Sequence, residues 1–304
     1  MQTHEFIVEP GAEDRIDKFL TDALKSESRS KIQNLILGGN VFINGNLVLK
    51  SNQHVSSGQK VLIHLIDLQP SQLHAADLDI KVIYIDEDTI VINKPAGIVV
   101  HPGAGKETNS LVNFALWHWP EIKSVGQPDR PGVVHRLDKD TSGVILMARS
   151  QKAYDWYISQ FKARKVKKEY LTLVDGHPQT PEGRIDAPLL RDPIHRQRMS
   201  VGKAGQGRRA ITEYHQIEKF AEHELLRVNP ITGRTHQIRV HLAFLGTPVV
   251  GDKIYGRKKA SLPTKRFFLH AQDISICLPN RDIATTFTSP IPEDLEKILN
   301  DLRT

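Results

Sequence analysis

From Ile80 onward the chain is a succession of short apolar runs broken by turns, and no other feature limits its possible folds as much. The strand-like runs are Ile80 to Ile85, Ile90 to Asn93, Val133-Val134, Val144 to Ala148, Tyr170 to Val174, Ala210 to Tyr214 and Leu225 to Val228. Helical stretches lie among them at Leu111 to Trp117, Lys152 to Lys162 and Pro292 to Leu302. Helices do not alternate regularly with strands, which argues against a doubly wound parallel sheet and for an α+β fold. Residues 237–245 read both ways. Ile238, Val240, Leu242 and Phe244 alternate as in a strand, whereas Gly246 and Pro248 are stop signals for a helix.

The N-terminal segment reads as a small αβ module. Ile16, Phe19, Leu20, Ala23 and Leu24 share one face of a helix over Asp14 to Leu24. Ser28 or Ser30 caps a second helix bearing Ile32, Leu35 and Ile36, and Gly38-Gly39 stops it. Val41-Phe42-Ile43 then enters Asn44-Gly45, a strong hairpin signal, and Lys60 to Ile66 closes the module as an alternating strand. A polar stretch carrying Pro70 follows as a linker.

Charge is unevenly spread. The whole chain of 304 residues holds 41 Lys and Arg against 35 Asp and Glu, a net charge of +6. Lys162 to Arg209 alone holds twelve basic residues against five acidic ones, a balance of +7. A charge run is usually a solvated face, but Gly202, Gly205 and Gly207 lie among these cations and let backbone approach a strand closely. A surface that tracks the phosphates of a nucleic acid is the favoured reading. Residues 1–75 are close to neutral, with seven basic and eight acidic residues.

The single cysteine, Cys277, excludes a disulfide framework and fits a reducing cytoplasm. No apolar run reaches the roughly eighteen residues of a membrane span, and Met1 to Pro10 lacks a signal-peptide core, so no membrane partner is expected. The fourteen histidines show no zinc-site spacing, and His236 and His241 do not share a helix face, so no metal is expected. His101 to Thr108 looks superficially like a phosphate loop, but Val100 and Glu107 stand where a Walker motif needs Gly and Ser or Thr. It reads instead as a loop that touches nucleic-acid phosphate. Trp117 and Trp119 read as core.

Chemistry concentrates between Pro131 and Leu146, where two apolar pieces flank His135-Arg136-Leu137-Asp138-Lys139-Asp140-Thr141-Ser142-Gly143. Asp140 suits capping of the turn. Asp138 follows a hydrophobic run directly and is expected to project from a rigid strand end into a cleft. This run resembles the signature of the RluA-type RNA pseudouridine synthases. Three further stretches resemble the same family in the same order. They are Asn93-Lys94-Pro95-Ala96-Gly97 with Val99-Val100-His101-Pro102-Gly103, then Lys167-Lys168-Glu169-Tyr170, then Gly233-Arg234-Thr235-His236-Gln237-Ile238-Arg239. His101-Pro102-Gly103-Ala104-Gly105 leans towards the RluD-like branch, which acts on large-subunit ribosomal RNA. The N-terminal module in turn resembles an S4 RNA-binding domain, in which the second helix and following loop lie against RNA, so Arg29 and Lys31 map to contact positions.

The resemblance implies a division into an S4-like domain at 1–68, a linker at 69–79 and a catalytic domain at 80–304 built on a mixed, mostly antiparallel sheet. It also implies a helix at 237–245. Its chemistry breaks the C1′–N1 bond of uridine, turns the base and rejoins C1′ to C5, with no cofactor. By resemblance Asp138 is the nucleophile, Tyr170 stacks on the target base, and Arg239 is the active-site arginine. An apolar pocket disfavours an ionised carboxyl, so an opposite charge such as Arg239 is needed beside it. Arg136 enters the base stack or replaces the extruded base. His135, Lys165, Lys167, Lys168, Arg234 and His236 are expected to contact the RNA. The expected partner is large-subunit ribosomal RNA or its assembling particle, bound by a cytoplasmic monomer. How Asp138 acts, on C1′, on C6 or by way of a glycal, stays open. Two other readings compete. A non-catalytic S4 protein leaves most of the chain without a role, and a retaining glycoside hydrolase needs a partner acid about 5 Å from Asp138, which Asp140 in its turn does not suit.

Overall fold

Two units, Met1–Gln72 and Leu73–Thr304, each enclose their own apolar core. The computed structural model describes residues 2–25, 27, 29–65, 73–102, 109–193, 195, 198–203 and 205–304.

In the first unit β1 (Gln2–Ile7) precedes α1 (Ile16–Ala23) and α2 (Arg29–Leu37), then β2 (Val41–Ile43), β3 (Asn46–Leu47) and β4 (Lys60–Leu65). The strands pair in the order β1-β4-β2-β3. Asn44 and Gly45 take φ of 49° and 79°, the left-handed pair that a tight two-residue hairpin turn demands. Ile16 and Leu20 of α1 and Ile32, Leu35 and Ile36 of α2 pack onto Val41, Val61 and Ile63 of the sheet. Strand β1 escaped the sequence pattern because its mostly polar residues carry no alternation. It is held by backbone pairing to β4, from Gln2 opposite Leu65 to Ile7 opposite Lys60. The expected caps, Ser28 and the Ser30 side chain, lie outside the described residues.

Of the expected linker, 69–72 lies outside the described residues. Its second half is tied to the second unit. Leu73 and Leu78 pack on that core, and Ala76 N donates to Asn113 O at 3.1 Å.

The second unit runs β5 (Lys81–Ile85), β6 (Thr89–Lys94), α3 (Leu111–His118), β7 (Gly126–Gln127), β8 (Arg130–Pro131), β9 (Ser142–Ala148), α4 (Gln151–Lys162) and β10 (Lys167–Asp175). It continues through β11 (Glu182–Asp186), β12 (Leu189–Arg191), β13 (Met199–Val201), β14 (Ile211–Lys219) and β15 (His223–Pro230). The last elements are α5 (Gln237–Phe244), β16 (Leu269–Cys277), β17 (Ala284–Thr288) and α6 (Glu293–Arg303). Nine strands form one sheet in the order β11-β14-β15-β10-β16-β9-β6-β5, with β17 against β16. Every pairing in it is antiparallel except β9 with β16, so the sheet is mixed and mostly antiparallel, within an α+β fold.

Strand β9 is buried along its whole length, which is why its sequence is a continuous apolar run. Ile145 and Met147 face α3, where Leu111, Val112 and Ala115 cover them. Val144, Leu146 and Ala148 face α4 with Ala153 and Tyr157. Residues 237–244 are helical, with Ile238 and Leu242 buried against β15 and β10 residues, so their alternation is incidental. Two readings need correction. Val133-Val134 is not a strand, since Gly132 (φ 70°) turns the chain and only an isolated bridge from Val133 to Met147 remains. Trp117 is 53% exposed on the outer side of α3, whereas Trp119 packs edge-on against Phe114. Among the described residues no helix is long and apolar enough to cross a membrane.

The parallel junction of β9 and β16 rests on one residue type. Gly143 has φ 124°, and a Cβ there would lie 2.1 Å from Ala271 O of β16. Gly143→Ala is therefore expected to prise the two strands apart at a cost of about 3 kcal/mol or more. Thermal unfolding should show the transition lowered by roughly 6–12 °C; a shift under about 2 °C would mean the junction adapts without strain.

Candidate active site

Asp138 stands in a turn ahead of β9, not at the strand end expected from its sequence. Thr141 N donates to Asp138 O at 3.1 Å and closes the turn. Rigidity comes from neighbours. The wholly buried Lys94 donates from Nζ to the carbonyls of Pro95 (2.9 Å), Ile98 (2.8 Å) and Lys139 (3.0 Å). Burial pushes its pKa down to about 7, while three carbonyl acceptors match the three donors of an ammonium. Gly97 N also reaches Lys139 O, and Arg266 Nη1 donates to Asp140 O at 3.1 Å while paired with Asp294 of α6. Asp140 thus anchors the turn through its carbonyl instead of capping it through its carboxylate.

Arg239 reaches Asp138 from α5. Its Nη1 lies 3.1 Å from Asp138 Oδ2, and its Nε and Nη2 bind Asp252 at 2.6 and 2.9 Å. Its Cζ lies 4.1 Å from the Phe267 ring centre and 5.1 Å from that of Tyr255, so aromatic faces fix the plane of the fork. Asp252 is itself buried. Burial opposes its charge, but Arg239 and the N–H groups of Ile254 and Tyr255 outweigh that and hold its carboxyl below the usual carboxylate range. The same pairs, working against burial, raise the guanidinium pKa above its ordinary value. Asp138 keeps 19% side-chain exposure, open to a cavity of about 540 Å³. That volume suits a small ligand or one extruded nucleotide.

The cavity brings together most of the expected residues. Tyr170 lines it beside Asp138, where a register shift at Glu169 and Tyr170 in the β10–β16 pairing re-aims the side chain. Burial first, and the charge of Asp138 second, push its phenol pKa up, so it is a neutral donor at physiological pH. His236 begins α5 in the left-handed region (φ 56°), shares a 2.8 Å hydrogen bond with Tyr255 Oη and lies 3.9 Å from Asp138 Oδ2. Burial lowers its pKa and favours the neutral ring. His135 stacks on Phe161 with ring centres 5.0 Å apart, and its Nε2 accepts from Leu146 N. Its pKa is pushed down to about 3 by burial and then by Lys168, so it is neutral and partly structural. Arg136 is exposed at the cavity, and Lys168 and Arg234 line it as well. Gln237 pins the Arg234 loop, accepting from Thr232 Oγ1 and Arg234 N while donating to Ile211 O.

Other expected residues lie elsewhere. Lys165 and Lys167 are exposed and do not line the cavity. Arg29 and Lys31 belong to the first unit, where Arg29 pairs with the buried Asp17 and Lys31 with Glu27, both at 2.9 Å. His101 is half-buried, its Nδ1 has no hydrogen-bond partner among the described residues, and 103–108 of its loop lies outside them. Sequence reasoning missed Lys94 as a support, as well as Asp252 and Tyr255. Asp252 follows Val249-Val250-Gly251, the same acid-after-apolar-run pattern that singled out Asp138. Among the described residues no cluster of three or more His, Cys, Asp or Glu is arranged to hold a metal ion.

Asp252→Asn should leave Arg239 without its buried counter-charge. The expected cost is about 3–5 kcal/mol of stability, with at least about a hundredfold loss of kcat/KM as the guanidinium swings off Asp138. Denaturant unfolding and steady-state kinetics measure the two. A variant as stable and active as wild type would show that Arg239 is aimed by its aromatic neighbours alone.

Known proteins resemble this chain along most of its length. An RNA pseudouridylate synthase family model matches residues 88–244, and an S4 domain model matches residues 14–61. An uncharacterised RNA pseudouridine synthase of Aquifex aeolicus is 43% identical over 261 residues, 85% of this chain and 82% of that one. A ribosomal large subunit pseudouridine synthase D of Escherichia coli O157:H7 is 36% identical over 301 residues, covering 95% and 90%. Human RNA pseudouridylate synthase domain containing 1 superposes with a TM-score of 0.58 at 25% identity, covering 74% of this chain and 95% of that one. With its carboxylate–arginine pair set in a nucleotide-sized cavity, the chain belongs to the RNA pseudouridylate synthases, isomerases that convert uridine in RNA to pseudouridine, and carries an S4 domain at its N-terminus.

Proposed function

We propose that the protein isomerises uridines of large-subunit ribosomal RNA, with Asp138 as the nucleophile. The observation that carries this reading is the Asp138 carboxylate held by Arg239 in the open cavity. Relatives named ribosomal large subunit pseudouridine synthase D, each matching 95% of this chain, support the choice of RNA. Target uridines are extruded into the cavity, because a stacked and paired nucleotide cannot bring C1′ to a protein carboxylate.

In the proposed reaction the C1′–N1 bond breaks, uracil leaves with the bonding pair, and an Asp138 oxygen bonds to C1′. The freed base turns so that C5 faces the sugar. C5 then bonds to C1′ and releases Asp138, after which C5 loses its hydrogen to solvent and N1 gains a proton. Tyr170, a neutral phenol, stacks on the base and donates a hydrogen bond. Arg136 fills the gap left by the extruded base. His236 and Arg234 line the same space and contact the bound nucleotide, while Lys165 and Lys167 meet phosphates farther along the strand.

Residues 1–68 act as a separate RNA-reading domain, in which Asp17 fixes the half-exposed Arg29. Catalysis is assigned to the chain beyond them, which encloses its own core from Leu73.

Loss of the C5 hydrogen supplies the assay. With ribosomal RNA tritiated at uridine C5, Asp138→Asn should reduce tritium release more than about a hundredfold. RNA affinity should stay near wild type, since a carboxylate adds nothing to phosphate binding. Release above about a hundredth of the wild-type rate would mean that another group is the nucleophile.

A further inference from the structure

Positive charge gathers on the lining of the cavity, and beyond Arg239 no acidic group among the described residues pairs with it. Lys162, Arg164, Lys168, Arg208 and Arg234 all line the cavity, and among the described residues none forms an ion pair. Asp138 and Arg239 are already engaged with each other. Three of the cations crowd together: burial and then the charges of Arg208 and Arg164 lower the pKa of Arg234. Its Nε is tied to Arg209 O at 3.2 Å, so it does not swing away. Lys168 sits deeper, close enough to His135 for its charge to be felt there. Its ammonium borders the Gly233 loop, where a Cβ would lie 3.8 Å from Lys168 Nζ, and burial lowers its pKa to about 8.

Arg164 adds an independent observation. It follows α4 with φ 58°, and the bond from Lys165 N to Gln160 O closes a helix-terminating turn around it. Glycine is the residue that fits this left-handed position without strain. An arginine kept there, with its side chain on the cavity wall, points to a use outside the fold. Mutual repulsion, a half-buried ammonium with no acidic partner among the described residues and a strained arginine fit a row of anions such as the backbone phosphates of an RNA strand.

We propose that Lys168, Arg164, Arg208 and Arg234 form a phosphate subsite that grips the RNA backbone on both sides of the extruded uridine, Lys168 holding the phosphate nearest the reacting ribose. This rests on the reading of the cavity as the uridine site. The three arginines clamp the strand at the mouth, and Lys168 positions the nucleotide over Asp138.

The test measures binding of large-subunit ribosomal RNA across a salt series in the Asp138→Asn protein, so that turnover plays no part. Each lost phosphate contact lowers the log–log salt slope by roughly 0.7. Arg164→Gly, Arg208→Gln and Arg234→Gln combined should therefore flatten it by about 2. Arg164→Gly alone should lower the slope while leaving the unfolding temperature equal or higher, which a purely structural role does not allow. In the otherwise wild-type protein, Lys168→Gln should slow single-turnover tritium release at saturating RNA at least about tenfold. Unchanged slopes in the folded arginine variants would overturn the clamp. Weakened binding with an unchanged single-turnover rate in Lys168→Gln would remove Lys168 from the reacting nucleotide. Neither result resembles failure of the catalytic reading, which shows as turnover by Asp138→Asn with binding intact.

Discussion

The buried pair of Asp252 and Arg239 is the constraint from which the site follows. A guanidinium can be kept away from water only if its charge is met, and Asp252 meets it through two hydrogen bonds. That leaves Nη1 to face Asp138. Removing either buried member costs several kcal/mol because the other is left uncompensated. The fork is bidentate on its buried side and stacked by Phe267 and Tyr255, so its direction is set before any RNA arrives. Such preorganisation is what lets a fixed charge act at the moment of reaction without reorganising.

The second half of the site is a turn, and the sheet exists to hold it still. Asp138 precedes β9, whose parallel contact with β16 requires the bare backbone of Gly143. Lys94 at the end of β6 and Arg266 just before β16 bind the turn's carbonyls from two sides. The carboxylate and its arginine thus come from separate elements, each fixed by its own buried polar contacts. A loop carries Asp138, but the hydrogen bonds from Lys94 and Arg266 to its backbone carbonyls remove the freedom a loop normally has. Tyr170 completes the arrangement from β10, lining the same cavity.

Much of this was legible in the sequence, for local reasons. The spacing of Ile16, Leu20 and Leu24 gives α1, Asn44-Gly45 gives the first hairpin, and Val144 to Ala148 gives a buried strand. Those signals lie within one element. What was not legible is non-local. Nothing near Asp252 announces that Arg239 needs it, and the Arg239–Asp138 bond joins residues 101 positions apart. Resemblance to a family supplied that pairing, and it also settled 237–245 as a helix where alternation pointed to a strand. The strand end imagined beneath Asp138 failed because Pro131-Gly132 turns the chain before Val133 can pair along its length. Strand β1 was missed because backbone pairing, which leaves no apolar pattern, is what holds it.

The central claim is that a rigid, two-sided guanidinium aims the Asp138 carboxylate. Arg239→Lys tests it most directly, because lysine keeps the positive charge and loses the planar fork. The measurement is the single-turnover rate of tritium release from C5-labelled large-subunit RNA, with enzyme in excess. The account predicts a rate at least about a hundredfold below wild type with RNA affinity unchanged. A rate within about tenfold of wild type would contradict it, showing that charge alone, without the fork, suffices to set the carboxylate.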